Sequence, residues 1–415
     1  MFPTGSSFKA YRYRLEPTAA QRAALLRHAG ARRWTYNWAL AEWRAHFERT
    51  GRSIPRRALF SRLTALKRSP GYEWLREVDS QALQQAVRDV IRAYDNFFAR
   101  RTGYPKFKSR KTDRPRFRIP QRVKLDEGRV FIPKVGWVRV RLSRQVDGKP
   151  QSATFKQDAY GHWFVSLVVR TQLPPKVPHP PSKAVGIDLG IRDFAVLTDG
   201  RRVRSPRFEK QAGRRLRRLH RALARTERGS RGRRAARRRL ARRYQRVADQ
   251  RKDFLHKFTT DLTRQYDVIC IEDLGVHGMA RTKLARAVGD SAFSEFRRQL
   301  EYKTAWQGKS VVAIDRFFPS SKRCGACGEI NITLQCSDRS WTCVCGVLHD
   351  RDRNAANNIL ERGLQELAAA GHADASNDRG ARVSLPMEAT GAEAVIPCGN
   401  ATMEVLCSGQ TTAQS

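Results

Sequence analysis

Residues 324–360, CGACGEINITLQCSDRSWTCVCGVLHDRDRNAANNIL, constrain this chain more than any other stretch. Two cysteine pairs, Cys324/Cys327 and Cys343/Cys345, have the close spacing of a metal knuckle, and a helix carrying an acid follows at once. On a 3.6-residue period, Asp352, Ala356, Ile359 and Gly363 share one face, and Asp350, Asn354, Asn357 and Glu361 share another. The first face is small and apolar and is expected to pack inward, which places Asp350 at the N-cap. An acid on a packed face is costly to bury unless a cation meets it. Asp352 therefore reads as a metal ligand.

The cysteines also bear on compartment. Five of the eight (Cys324, Cys327, Cys336, Cys343 and Cys345) crowd into this segment, while Cys270, Cys398 and Cys407 stand apart. Such clustering in a chain without an evident export signal favours metal over disulfides. Residues 1–13 are interrupted by Lys and Arg and do not read as a signal peptide, and no apolar run approaches the roughly 20 residues of a spanning helix. A cytoplasmic, nucleoid-associated protein is expected, without a membrane partner. The 415 residues have room for two or three domains and carry a formal net charge of +42. A surface so self-repelling calls for a polyanion, and nucleic acid is the one expected.

Along the chain, residues 8–15 (FKAYRYRL) alternate and read as a strand. Helices are expected at 19–31, 33–49, 56–67 and 80–101, the last the clearest amphipath, with Leu83, Val87, Ile91 and Phe98 near one stripe. Residues 103–118 break the pattern and gather Lys and Arg around Tyr104, Phe107 and Phe117. Strands with Gly and Asp turns fill 123–170, a small β-barrel-like unit that the first strand is expected to join. The Pro-rich 171–181 marks a domain boundary. Beyond it come a strand ending in Asp188, a hairpin over 194–197, and a strand over 201–207. An Arg-dense helical hairpin follows over 210–260, interrupted near 229–232. Its stripe of Leu216, Leu219, Leu223, Leu240, Tyr244 and Val247 packs, and the near absence of acids leaves the other faces for phosphate. Next come a buried strand ending in Glu272 and Asp273, a helix over 291–307, and a strand over 310–317. After about Leu367 the composition shifts to Ala, Gly, Ser and Thr with acids in place of Arg, which reads as a disordered tail.

Asp188, Glu272 and Asp352 each have an ordinary reading: turn residue, solvated strand end, helix-dipole partner. Their order (strand-Asp, hairpin, strand, helix, strand-Glu, helix, strand, helix-Asp) matches an RNase H-like sheet in which such positions converge. Converging carboxylates raise one another's pKa unless hard divalent cations bind between them. Two Mg²⁺ ions in such a place activate water and stabilise a leaving oxygen in phosphodiester hydrolysis.

With these features in place, the chain resembles the TnpB (OrfB) family of insertion-sequence transposons, RNA-guided RuvC-like nucleases related to compact type V CRISPR effectors. The resemblance is carried by VGIDLGIRDFAVLTDG (185–200), QRKDFLHKF (250–258), IEDL (271–274), FFPSSKRCGACG (317–328) and HDRDRNAANNIL (349–360), with YPKFKSRK (104–111) and the N-terminal helices in support. It implies an α/β plus β-barrel architecture. A β-barrel (wedge) domain over 1–15 and 103–175 carries a helical insertion over 16–102. A RuvC-like RNase H-fold nuclease over 182–315 and 349–367 holds a zinc ribbon over 316–348, and 368–415 form the tail. It further implies a guide RNA from the transposon end, a short flanking motif, and cleavage of double-stranded DNA at one site built on Asp188, Glu272 and Asp352. Base pairing would read sequence while protein reads shape. Expected nucleic-acid contacts are Tyr104, Lys106, Lys108, Arg110 and Lys111, the Gln81, Gln84 and Gln85 face, and Arg214, Arg217, Arg233 and Arg237.

The chain departs from the family at one point. Cys324 and Cys327 have the usual two-residue spacer, whereas Cys343 and Cys345 have one. Residues i and i+2 of an extended strand share a side, so a four-Cys zinc site is expected, with Cys336 or His349 as substitutes. Two other functions compete: an RNA-guided DNA-binding repressor that does not cut, against which the intact triad argues, and a transposase acting directly in strand transfer.

Overall fold

The structure, a computed structural model, describes residues 6–172, 174, 181, 183–335 and 337–376. Most of the Pro-rich boundary, Cys336, Cys398, Cys407 and residues 377–415 lie outside these. Strict alternation makes β1 (Ser6–Glu16) a strand with one buried face. Tyr11, Tyr13 and Leu15 point into the core, and Arg12, Arg14 and Glu16 point out. Three helices follow: α1 (Ala19–Thr50), α2 (Arg56–Leu66) and α3 (Ser80–Phe98). The chain then returns through β2 (Arg116–Ile119), β3 (Lys124–Asp126), β4 (Arg129–Ile132), β5 (Gly136–Arg141), β6 (Pro150–Gln157) and β7 (Trp163–Gln172). These pair antiparallel in the order β2-β6-β7-β1-β5-β4-β3, so β1 lies mid-sheet although it comes first in sequence. The helices are thus inserted between two strands of one sheet. Among the described residues no ladder joins β2 to β3, so the sheet has two edges where the sequence suggested a barrel.

Three expectations for this half need correction. Residues 19–31 and 33–49 form one helix. A capping box starts it, with Thr18 Oγ accepting from the Gln21 N–H and Gln21 Oε1 from the Thr18 N–H. Gly30 alone does not break it, because α1 spans two cores. Leu25 and Ala29 pack on the sheet, and Tyr36, Ala39, Leu40 and Trp43 pack on α2 and α3. Phe117 is not a loop aromatic but a buried residue of β2, stacked on Phe155 with ring centroids 4.9 Å apart. Phe98, expected on the packed stripe of α3, is exposed at the helix end.

The second half begins with β8 (Ala184–Leu189), β9 (Asp193–Leu197) and β10 (Arg202–Arg204), an antiparallel meander. An Arg-rich hairpin follows, α4 (Phe208–Ala224) and α5 (Arg231–Gln265). Its stripe of Ala212, Leu216, Leu240 and Val247 is buried. Ser230 caps α5 by accepting from the Arg233 N–H at 3.0 Å. Then come β11 (Val268–Glu272), α6 (Val276–Met279), α7 (Ala285–Ser291), α8 (Phe293–Ala305) and β12 (Ser310–Ile314). β11 lies parallel between β8 and β12, giving a mixed sheet of order β10-β9-β8-β11-β12. The expected helix over 291–307 is α8, and α7, not expected from the sequence, precedes it, the two separated by Ala292 in a left-handed backbone conformation (φ 54°). A short hairpin, β13 (Ser340–Thr342) and β14 (Leu348–Asp350), leads into α9 (Arg351–Ser376). α9 runs past the Leu367 boundary read from composition, because Ala368, Ala369 and Ala370 are strong helix formers. Among the described residues no helix is long and apolar enough to cross a membrane.

Candidate metal centres

The geometry of the acids follows from strand register and one helix crossing. Parallel pairing sets Gly186 beside Cys270 and Ile187 beside Ile271, so the next residues, Asp188 and Glu272, emerge side by side. Strand alternation sends Ile187 and Ile271 into the core under α5 and α8, and puts Gly186, Asp188, Cys270 and Glu272 on the opposite face. α9 crosses that face. A Cβ on Gly186 would strike the Ala356 carbonyl and Leu360, and one on Gly363 would strike Cys270. Asp352 lies one turn before Ala356, and Asp188 two residues beyond Gly186. Each is a step of about 6 Å from the contact, and the two carboxyls lie close enough to repel.

The electrostatics agree with this placement. Burial, with repulsion from Glu272 and Asp352 added, pushes the Asp188 carboxyl up to about 7, while Arg351 and Arg202 oppose the shift. Burial also raises Glu272, against a hydrogen bond donated by Ser320 Oγ. The Asp352 carboxylate meets Arg202 at 3.4 Å on one oxygen and Arg339 at 3.7 Å on the other. The three acids are close enough to act on one another, but they are not gathered as tightly as the cysteines. Their donors are all carboxylate oxygens, crowded and partly buried, which suits hard cations such as Mg²⁺. The neighbouring acids serve elsewhere. Asp273 is held by Arg297 and Arg316. Asp350 accepts from the Arg353 N–H at 2.9 Å, as an N-cap does, and takes Arg202 on both oxygens at 2.6 Å.

The sulfur atoms of Cys324, Cys327, Cys343 and Cys345 lie within 4.8 Å of one another. Four thiol ligands at that spacing fit a tetrahedral zinc site. The shortened pair keeps the frame of the longer one. In the first knuckle the Cys324 N–H donates to the Glu329 carbonyl and the Gly328 N–H to the Cys324 carbonyl. In the second, the Cys343 N–H donates to the Val347 carbonyl and the Gly346 N–H to the Cys343 carbonyl. Gly328 and Gly346 share a left-handed conformation (φ 83° and 84°), so the missing residue is absorbed inside the turn. His349, Nε2 3.0 Å from Cys324 Sγ and its ring against Trp341, supports a sulfur of a group complete without it. Although burial opposes it, backbone N–H groups of Cys327 and Ala326 and the His349 ring lower the Cys324 thiol to about 5.

Several residues here were not singled out in the sequence. Asn354 and Asn358, one turn apart on α9, are buried and fasten it to the first knuckle. Asn354 accepts from the Gly325 N–H and donates to the Arg323 carbonyl, and Asn358 donates to the carbonyls of Ser320 and Arg323. Asn354 therefore does not lie on a solvent-facing side with Asn357, which is exposed. The signal available was the pair of asparagines four apart beside a small, apolar face.

The proposed nucleic-acid contacts divide. Lys106, Arg110 and Lys111 are exposed, as is half of Tyr104, whose ring packs edge-on against Tyr94 and Phe97 under Arg44. Lys108 turns inward, its Nζ 3.5 Å from the centre of the Tyr36 ring, and burial together with Arg32 and Arg116 lowers it to about 7. Gln84 is exposed, Gln81 half-buried and Gln85 buried, so the three make no common outward face, because α3 packs on two sides. Arg214, Arg217 and Arg237 are exposed, whereas Arg233 caps the end of α4 through the Leu223 and Thr226 carbonyls.

Comparison with known proteins gives a consistent picture. The OrfB_IS605 family, described as "Probable transposase", matches residues 166–283, and a Cas12f1-like TNB domain matches 293–359. A helix-turn-helix domain matches 8–52, where this structure has β1 and the uninterrupted α1. A Streptomyces pristinaespiralis protein provisionally named an RNA-guided DNA endonuclease is 38% identical over 94% of this chain and 98% of its own. An Escherichia coli K12 protein with the same provisional name is 35% identical over 87% and 93%. In fold, the chain resembles one from a Cas12f1–sgRNA–target DNA complex, with a TM-score of 0.55 at 13% identity, over 85% of this chain and 98% of that one.

Proposed function

The chain belongs to the TnpB (OrfB) family of insertion-sequence transposon proteins, and on that premise we propose that it is an RNA-guided DNA endonuclease with one Mg²⁺-dependent cutting site. The observation that carries the reading is the register that brings Asp188 and Glu272 out side by side beneath the helix bearing Asp352. A guide RNA from the transposon end and target double-stranded DNA are the partners that a +42 chain of this family would neutralise. Residues 182–315 and 349–367 act as the RNase H-like RuvC nuclease and 316–348 as its zinc ribbon. Residues 1–15 and 103–175 act as the wedge domain, and 16–102 as the helical module that meets the flanking motif.

In this mechanism Asp188 and Glu272 present oxygens from adjacent strand ends, and Asp352 presents them from α9. Two Mg²⁺ ions held there would supply an activated water and charge stabilisation at the leaving oxygen of the phosphodiester. Burial, with repulsion from Glu272 and Asp352, lifts Asp188 to about 7 and keeps part of it protonated at neutral pH, and divalent cations held beside it would favour its charged form. Arg202 and Arg339 hold Asp352 from both sides and fix its direction. Cys324, Cys327, Cys343 and Cys345 hold zinc and keep the ribbon against α9. Asp188→Asn, Glu272→Gln and Asp352→Asn are each expected to remove cutting of guide-matched DNA while guided binding persists. Cutting retained by any one of them would exclude that acid from the site.

A further inference from the structure

Glu272 differs from its two partners in how it is held. Asp188 and Asp352 have arginines near them, whereas among the described residues the hydrogen bond to the Glu272 carboxylate comes from Ser320 Oγ. Ser320 is buried, and its backbone is tied at both ends. Its N–H donates to the Phe318 carbonyl at 2.8 Å, and its carbonyl accepts from Asn358 Nδ2 at 2.8 Å. Asn358, itself buried on α9, also takes the Arg323 carbonyl and so holds the segment entering the first cysteine knuckle. A flexible Glu side chain has three rotatable bonds to fix before its oxygens are useful to a metal, and a hydroxyl on a pinned backbone fixes them.

We propose that Ser320 is a positioning residue, its hydroxyl holding the Glu272 carboxylate in the metal-binding direction from a loop that Asn358 locks to the helix bearing Asp352. The entrance to the ribbon is thereby part of the active centre: two hydrogen bonds in series, through Ser320, link the middle acid to the helix that carries the third. This rests on the reading of the acids as a metal site, and its test separates the two claims.

The probe is Mn²⁺ binding to the full-length, RNA-free protein in high salt, read by the electron paramagnetic resonance of free Mn²⁺, in wild type, Ser320→Ala, Ser320→Thr and Glu272→Gln. Ser320→Ala is expected to weaken Mn²⁺ binding by roughly ten-fold, the range for losing a partner of a metal ligand. Ser320→Thr, which keeps the hydroxyl, is expected to stay within about two-fold of wild type on the same scale. Zinc content and thermal unfolding should match wild type in both. Guided cutting by Ser320→Ala should need correspondingly more Mg²⁺ to reach half its maximum. Ser320→Ala binding Mn²⁺ like wild type, while Glu272→Gln binds it weakly, would overturn the proposal and leave the nuclease reading standing. Equal loss in Ser320→Ala and Ser320→Thr would also overturn it, since the hydroxyl would not be the cause. Weakened binding in Ser320→Ala, rescued by Thr, would support the positioning role even if wild type did not cut guided DNA.

Discussion

Besides Asp188, four acids lie at the centre in two close pairs, Glu272 with Asp273 and Asp350 with Asp352, and their hydrogen bonds and positions distinguish the members of each pair. Asp273 is occupied by two arginines, and Asp350 caps α9 and takes Arg202 on both oxygens. Glu272, by contrast, lies on the sheet face that α9 covers, and Asp352, in longer contacts with Arg202 and Arg339, sits near Asp188. Losing an N-cap costs about 1 kcal/mol. Asp350→Ala should therefore lower the melting temperature by a few degrees and keep cutting within about ten-fold of wild type, in contrast to Asp352→Asn. An equal loss for Asp350→Ala in the same cutting assay, with Asp352→Asn active, would reverse the assignment of the third ligand. Helical periodicity separated these two in the sequence, and the Arg353 N–H bond to Asp350 agrees with the N-cap it assigned. It could not reveal Ser320, Asn354 or Asn358, because their role consists of hydrogen bonds between segments that only the fold brings together.

At the level of elements, the site depends on α9 approaching the sheet closely, and two glycines permit that. The space at Gly186 is filled by backbone of α9, which cannot swing aside as a side-chain tip can. Gly186→Ala should cost about 1–3 kcal/mol or more. It should reduce cutting further than the stability loss explains, since Asp352 rides on the displaced helix. Melting and cutting measured together check this, and unchanged cutting would mean that α9 tolerates the shift. The first cysteine knuckle holds the same end of this helix, through Asn354 and Asn358. Metal analysis should give one zinc per chain, and Cys324→Ser should lose the zinc and most of the cutting. Full activity without zinc would leave the ribbon held by packing alone. Most strands in their succession along the chain, and the helical hairpin, were legible from alternation, Gly turns and the leucine stripe. The unbroken α1 was not, because its continuity comes from packing on two separate cores. The inward turn of Lys108 was equally hidden, since its neighbours in sequence are exposed and its ring partner lies on α1.

For the molecule as a whole, the charge of +42 is distributed over elements with separate cores, and many of its arginines, including Arg214, Arg217 and Arg237, face solvent. Such a surface binds any nucleic acid at low salt and loses that binding steeply as salt rises. Binding alone therefore says little about function, whereas RNA-dependent cutting at a chosen sequence says a great deal. The central claim is that RNA chooses the site and the three acids cut there. Its most direct measurement takes protein stripped of nucleic acid by nuclease treatment in high salt and offers it a plasmid target, with and without the transcript of the adjacent transposon end, in Mg²⁺. Double-strand cutting that appears only with the transcript, and moves when the guide sequence is changed, is the predicted result. Sequence-specific double-strand cutting by the RNA-free protein, at the same place whatever the transcript, would contradict the account.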